Sequence, residues 1–330
     1  MIISKTPYRI SFFGGGSDYP EWYNQFGGEV ISSTINKYLY ITCRELPDFF
    51  NHKYRIVYSK IEEVRKINDI KHKVVRSALI NKKIKKNLEI HYDGDLPSRS
   101  GMGSSSSFVV GLLNVLNEFN NYKLDKFSLA KESINFEQTI LKECVGSQDQ
   151  VASSFGGFNS ISFNKGGSFK ISKIDNKEKF QTKLINNLVL LYTGKQRTAE
   201  IIAKQFVNKI STSKKNEIRS ILECVSLAKD LINKMQVNEF GLLLDESWKM
   251  KKKLHKNISN AEIDHFYNLA KKNGALGGKI LGAGGGGFFL FYVPIEKREF
   301  FLKKMNFLTN IPFKFEDSGS KIIFNSSKNR

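Results

Sequence analysis

In the first part of the chain, apolar residues fall at strand spacing. "MIISKTPYRISFF" (1–13) and "EVISSTINKYLYITCREL" (29–46) are rich in β-branched and aromatic residues and read as strands. "NLEIHYDGDLPS" (87–98) reads as another strand ending in a turn. The pattern then changes. "SSSSFVVGLLNVLNEF" (104–119) is apolar nearly all round from Phe108 to Leu116, which predicts a buried helix. "LDKFSLAKESINFEQTILKECVG" (124–146) has an amphipathic helical period, with Asp125 and Ser128 near its start and Gly146 just past its end. "FGGFNSISFNKGGSFKIS" (155–172) predicts a glycine-containing hairpin. The polar stretch 173–183 is the expected domain junction, giving domains 1–175 and 176–330. Beyond it come a strand at 187–193, two or three long helices to about Asn273 and a strand pair around "GGKILGAGGGGFFLFYV" (277–293). A helix near 295–305 and a last strand pair complete the chain, with no internal repeat and only "NSSKNR" as a polar tail. Pattern alone predicts a mixed α and β protein.

Composition narrows the class. A chain of 330 residues, 40% of them hydrophobic, can form one large or two medium cores. No run of about 18 apolar residues predicts a membrane span, and "MIISKTPYR" lacks the features of a secretory signal. Cys43, Cys144 and Cys224 are far apart and unpaired by spacing, which argues against a zinc site or disulfide framework and suits a reducing cytoplasm. The net charge of +20 first suggests nucleic acid. The lysines are scattered, however, in short clusters such as 81–87 and 249–256 that match no nucleic-acid module. A solvated lysine surface that also steers phosphorylated small molecules accounts for them.

Three glycine-rich stretches carry the candidate chemistry. "PYRISFFGGGSDYPEW" (7–22) puts three glycines between a strand and an acidic-aromatic cluster, as a plain hairpin turn also would. "LPSRSGMGSSSSF" (96–108) runs strand, Gly/Ser loop, apolar helix. One serine suffices for an N-cap. Four beside Gly101 and Gly103 suit a phosphate cradle, where backbone N–H groups at a helix start face the anion. No GxxxxGK[ST] occurs, so this is not a Walker A loop. "LGAGGGGFFLFYV" (281–293) lies within an apolar strand pattern, unlike a linker, and suggests close approach of something to the backbone.

In this order and spacing, residues 7–19, 97–107 and 281–287 resemble the three motifs of the GHMP kinase superfamily, which includes galactokinase and the homoserine, mevalonate and phosphomevalonate kinases. Pro97 through Ser107 matches P-x₃-G-[LM]-[GS]-S-S-[AS]-[AS]. The resemblance covers nearly the whole chain. It implies an α+β, two-domain fold: an N-terminal domain like the second domain of ribosomal protein S5 and a ferredoxin-like C-terminal domain, with ATP and Mg²⁺ between them. It places Pro97, Gly101, Met102, Gly103, Ser104, Ser105, Ser106 and Ser107 at ATP, and Ser105 also at the metal. Asp149, in "CVGSQDQVASSFGG" (144–157), matches the family's catalytic aspartate, and Arg9 the basic residue of the first motif. A loop aspartate and a surface arginine are the ordinary alternatives.

Glu137 falls at helical spacing with Ile134, Leu141 and Cys144, in a stripe that should be buried. A buried carboxylate needs a cation. The resemblance makes that cation Mg²⁺, and the ordinary alternative is a salt bridge. Galactokinase has Gly-Glu-His-Thr-Asp-Tyr where this chain has Gly14, Gly15, Gly16, Ser17, Asp18 and Tyr19. The missing side chains widen the expected substrate site, where Gly15 to Tyr19, Gly284 and Gly285 are candidates and Asp18 would accept hydrogen bonds from sugar hydroxyls. This version resembles the D-glycero-D-manno-heptose 7-phosphate kinases, with fucokinases as the alternative. "LLYTGKQRTAEIIAK" (190–204) sets Lys195 and Arg197 at a helix start, where they could hold a substrate phosphate or simply be solvated. The expected activity is ATP-dependent phosphorylation of the anomeric hydroxyl of a sugar phosphate, in the making of activated heptose for surface polysaccharide. A catalytically silent sugar sensor is the rival from another class, and retention of Asp149 and Glu137 argues against it. The expected partners are small molecules, with no nucleic acid or membrane. The oligomeric state stays open.

Overall fold

The computed structural model describes residues 1–172, 174, 177–196 and 199–326, organised around two sheets. The first begins with β1 (Ile2–Phe13) and the long β2 (Gly28–Glu45), antiparallel to each other and joined through α1 (Pro20–Phe26). β3 (Tyr54–Val57), β4 (Ile61–Val64) and β5 (Leu88–Gly94) extend it from one half of β2, with β3 and β5 parallel. β6 (Phe158–Phe163) and β7 (Phe169–Ser172) extend it from the other half as the expected hairpin. α2 (Lys73–Asn81), α3 (Ser104–Phe119), α4 (Lys126–Asn135) and α5 (Gln148–Phe155) pack on this sheet and on one another. α3 is buried throughout Phe108–Leu116 apart from Asn114, as its pattern predicts. It lies close to β1 because Gly111 has no side chain: a Cβ there would stand 2.8 Å from Thr6 Oγ1.

The second sheet contains β8 (Leu188–Tyr192), β9 (Gly277–Ile280), β10 (Phe288–Tyr292) and β11 (Thr309–Asn310), all antiparallel in the order β11-β8-β10-β9. That is the order of a split β-α-β, ferredoxin-like unit. α6 (Lys177–Asn187) leads into it. α7 (Ala199–Phe206), α8 (Lys215–Asn233), α9 (Val237–Lys252) and α10 (Ala261–Lys272) connect β8 to β9, and α11 (Arg298–Lys304) connects β10 to β11. Of the polar stretch 173–183, residues 173 and 175–176 lie outside the described residues.

The two halves share a core. Phe240 of α9 meets Phe12 and Phe13 of β1 edge-on, with ring centroids 5.5 and 5.0 Å apart. No described helix is long and apolar enough to cross a membrane.

Two expectations are corrected. The last two strands do not pair with each other. β11 joins the second sheet, whereas β12 (Lys321–Asn325) returns to the first and pairs with Ile2–Lys5. The helix expected over 124–146 ends early. α4 passes at Phe136 into a π turn, Phe136–Ile140, and Lys142 takes φ 56°. The rest of that segment is held elsewhere: Ser147 N–H donates to the Asp18 carbonyl at 2.8 Å.

Candidate functional site

Residues of both halves line a cleft of about 950 Å³. The Gly/Ser loop forms one wall. Arg9 N–H donates to the Met102 carbonyl at 3.2 Å, tying the loop to β1, and Met102 is buried. The Pro97 carbonyl accepts from Ser100 Oγ at 2.6 Å. Gly101 and Gly103 have φ of 91° and 74°, and Gly103 is the N-cap of α3 with no side-chain cap. The first-turn N–H groups of α3 are therefore left for a ligand. The four serines have separate surroundings. Ser104 Oγ accepts from Arg99 N–H at 3.2 Å, Ser105 is exposed, Ser106 is buried beside Glu137, and Ser107 Oγ donates to the Pro7 carbonyl at 3.1 Å.

Arg9 and Asp149 meet across this loop. Arg9 Nε and Nη2 donate to the two Asp149 oxygens, each at 2.6 Å, and Nη1 donates to the Gly101 carbonyl at 2.8 Å. Asp149 lies in the first turn of α5. Gly103 permits the approach, since a Cβ there would stand 3.2 Å from Asp149 Oδ2 and 3.3 Å from Arg9 Cγ. The fork-to-fork geometry fixes both side chains at the cleft.

The three glycines of the first motif do different things. A Cβ on Gly14 would stand 2.0 Å from the Glu29 carbonyl oxygen, so Gly14 serves chain packing. Gly16 has φ 108°, and its N–H donates to Asp18 Oδ1 at 2.9 Å. Gly15 opens on the cleft, with only Gln148 Nε2 and Ser11 Oγ near a Cβ, at 3.6 and 3.7 Å. Ser17 is buried and donates to the Gly14 carbonyl at 2.8 Å. Asp18, 1% exposed, accepts from Gln148 Nε2 at 3.0 Å, and burial raises its carboxyl pKa. Gly146 lets Asp18 lie where a Cβ would stand 2.0 Å from its Oδ2. Asp18 thus positions the chain just before Asp149. Tyr19 lines the cleft, with its hydroxyl pKa raised by burial.

Glu137 is fully buried in the π turn. Burial, followed by the Glu143 and Asp149 charges, pushes its carboxyl up to about 8, against the opposing pull of Ser106 and Gln150. Gln150 Nε2 donates to its Oε2, while Oε1 makes no well-formed hydrogen bond. No group of three or more His, Cys, Asp or Glu side chains that could hold a metal occurs among the described residues. A metal here would rest on one carboxylate and serine hydroxyls.

The other sequence candidates fall in different places. Gly282 and Ala283 line the cleft, whereas Gly284 packs on the Ile258 backbone and Gly285 N–H donates to the Ile258 carbonyl at 2.8 Å. Lys195 is exposed and its ammonium pairs with Glu262, while its neighbour Gln196 lines the cleft. Arg197 lies outside the described residues. Sequence reasoning missed Gly146, Gln148, Gln150 and the buried Lys279 of β9, which also lines the cleft. It also missed the aromatic end, where Tyr92 and Phe108 stand 4.9 Å apart, His72 lies 5.3 Å from Phe108, and Tyr58 lies 4.9 Å from His72.

Comparison with known proteins finds two family matches, GHMP kinases N terminal domain over residues 69–157 and GHMP kinases C terminal over residues 227–305. A D-glycero-alpha-D-manno-heptose 7-phosphate kinase of Campylobacter jejuni is 30% identical over 92% of this chain and 93% of its own. A bifunctional fucokinase/GDP-fucose pyrophosphorylase of Arabidopsis thaliana is 24% identical over 87% of this chain and 29% of its own. The crystal structure of a D-glycero-D-manno-heptose 1-phosphate kinase from Bacteroides thetaiotaomicron superposes with a TM-score of 0.80 at 24% identity, covering 98% of this chain and 99% of that one.

Proposed function

This chain belongs to the GHMP kinases, phosphotransferases with an alcohol acceptor, and we propose that its acceptor is the anomeric hydroxyl of D-glycero-D-manno-heptose 7-phosphate. The observation that carries the reading is the open turn at Gly15, in a chain 30% identical to a heptose 7-phosphate kinase. Where galactokinase has Glu and His side chains, this cleft has room for a longer sugar.

The residues divide the work. ATP lies with its base among Tyr58, His72, Tyr92 and Phe108 and its phosphates on the first turn of α3, where uncapped N–H groups favour an anion. The Asp149 carboxylate has about four lone-pair sites, of which Arg9 occupies two. The remainder accept the acceptor hydroxyl and its proton. The Arg9 guanidinium faces the charge that builds on the transferred phosphoryl group. Mg²⁺ would be held by Glu137, one of whose oxygens makes no well-formed hydrogen bond, with the serines of α3, since this ion takes one or two protein ligands plus phosphate oxygens and water. When bound, it supplies neutralisation of phosphate charge.

The test is a substrate panel with ATP and Mg²⁺, read by ³¹P NMR. Heptose 7-phosphate should give the highest kcat/KM and a new anomeric phosphate signal. A higher value for L-fucose would replace this reading with the fucokinase one.

A further inference from the structure

Among the described residues, Lys279 is a cation without an acid. It is 4% exposed and lines the cleft from β9. Its ammonium has three donors. It donates to the Phe12 carbonyl at 2.6 Å, and no ion pair joins it to a carboxylate among the described residues. Burial, and after it the Arg9 charge, pulls its pKa down to about 8. A carbonyl does not neutralise a charge, so the cleft is electropositive at Lys279 and suits an anion there.

Position selects which anion. Arg9 and Asp149 mark the reacting end of the cleft. Phe12, whose carbonyl Lys279 holds, lies three residues further along β1, between Ser11 and the glycine turn. Ser11 and Gly15 line the cleft as well. This placement beside Ser11 and Gly15 suits a sugar held with its anomeric hydroxyl at Asp149 and an anionic group at its other end. We propose that Lys279 recognises the acceptor's own phosphate and so sets the preference for a sugar phosphate. The inference rests on the acceptor reading above. It assigns the phosphate to a buried residue of β9, in place of the exposed Lys195.

The experiment compares kcat/KM for heptose 7-phosphate and unphosphorylated heptose in the wild type, Lys279→Met and Lys279→Gln. Glutamine can still donate to the Phe12 carbonyl, so it controls for a purely structural role. The preference ratio, phosphorylated over unphosphorylated, should fall about 10- to 100-fold in both variants, the range expected for a lost charged hydrogen bond. The KM for ATP should hold. Thermal stability should hold in Lys279→Gln, which keeps a donor for the Phe12 carbonyl, and fall modestly in Lys279→Met, which does not. An unchanged ratio in either folded variant overturns the inference and leaves the acceptor reading standing. A wild type with no preference for the phosphorylated sugar overturns the acceptor reading, and the inference with it.

Discussion

Replacing Asp149 by asparagine tests the centre of the site. The substitution keeps the shape and removes the charge that Arg9 holds at 2.6 Å on both oxygens. Loss of a positioned proton acceptor typically costs about 10²–10⁴ in rate, or about 2.7–5.4 kcal/mol of barrier. The cost in stability should be smaller. Breaking a buried pair outright costs about 3–5 kcal/mol. Asparagine can still accept one of the two bonds, and Arg9 keeps the Gly101 carbonyl, so about 1–3 kcal/mol is expected. Single-turnover transfer from radiolabelled ATP measures the chemical step, and a nucleotide titration shows whether binding survives. Adding Arg9→Met and the double variant closes a cycle. If the pair acts as a unit, the double variant should be no slower than the worse single one. A folded Asp149→Asn enzyme that keeps more than about a third of the wild-type rate would refute the assignment, because that lies far outside the expected range. Fully additive losses would refute the coupling.

The π turn makes a pH prediction. The Glu137 carboxyl moves from 4.5 up to about 8 on folding, so between those values the metal-free folded state holds a proton that the unfolded chain has lost, and stability falls as pH rises. Thermal melts in EDTA from pH 5 to 8 should show this slope in the wild type and lose it in Glu137→Gln, and equal slopes would contradict it. Gly146→Ala drives a Cβ to 2.0 Å from Asp18 Oδ2, so the segment before Asp149 must shift at a cost of about 1–3 kcal/mol. Its kcat should fall about 10²-fold with ATP binding retained, and an unaltered kcat counts against the positioning role of Asp18. Gly15→Ala meets nothing closer than 3.6 Å, so stability should change by less than about 0.5 kcal/mol. The acceptor KM should nevertheless rise with the ATP KM unmoved, and an unaffected acceptor KM would remove Gly15 from the substrate site.

Local pattern made part of this legible. α3 could be read because its apolar residues run all round, and burial on every side needs no knowledge of the partner. The burial of Glu137 was expected from a helical period with Ile134, Leu141 and Cys144, and it holds although the helix gives way to a π turn at Phe136 and leaves Ile134 and Cys144 half-buried. The ends of elements depend on distant residues. α4 gives way to a π turn, and the segment beyond it is held by Asp18, from a different part of the chain. β12 finds β1 across nearly the whole sequence, and a run such as "KIIFN" states no partner. Lys279 was passed over because a lysine in a strand ordinarily marks solvent. The signal lay in its neighbours: "GGKIL" has no other polar side chain, as expected of a strand covered on both faces.

The glycines and serines show the limit most sharply. Gly14, Gly15 and Gly16 are identical in sequence, but the first clears the Glu29 backbone, the third lines the cleft at φ 108° with the Ile218 side chain against it, and the second lines the cleft with open space above it. Ser104 to Ser107 divide in the same way among a loop contact, solvent, Glu137 and the Pro7 carbonyl. A motif states which residue types the chemistry needs, while the fold decides which member meets the ligand. The substitutions that carry information are therefore those that separate neighbours within one motif. Gly14→Ala should damage folding and Gly15→Ala should damage acceptor binding alone. If both acted on folding to the same degree, the turn would be a packing device and the space above Gly15 would have no part in recognising the sugar.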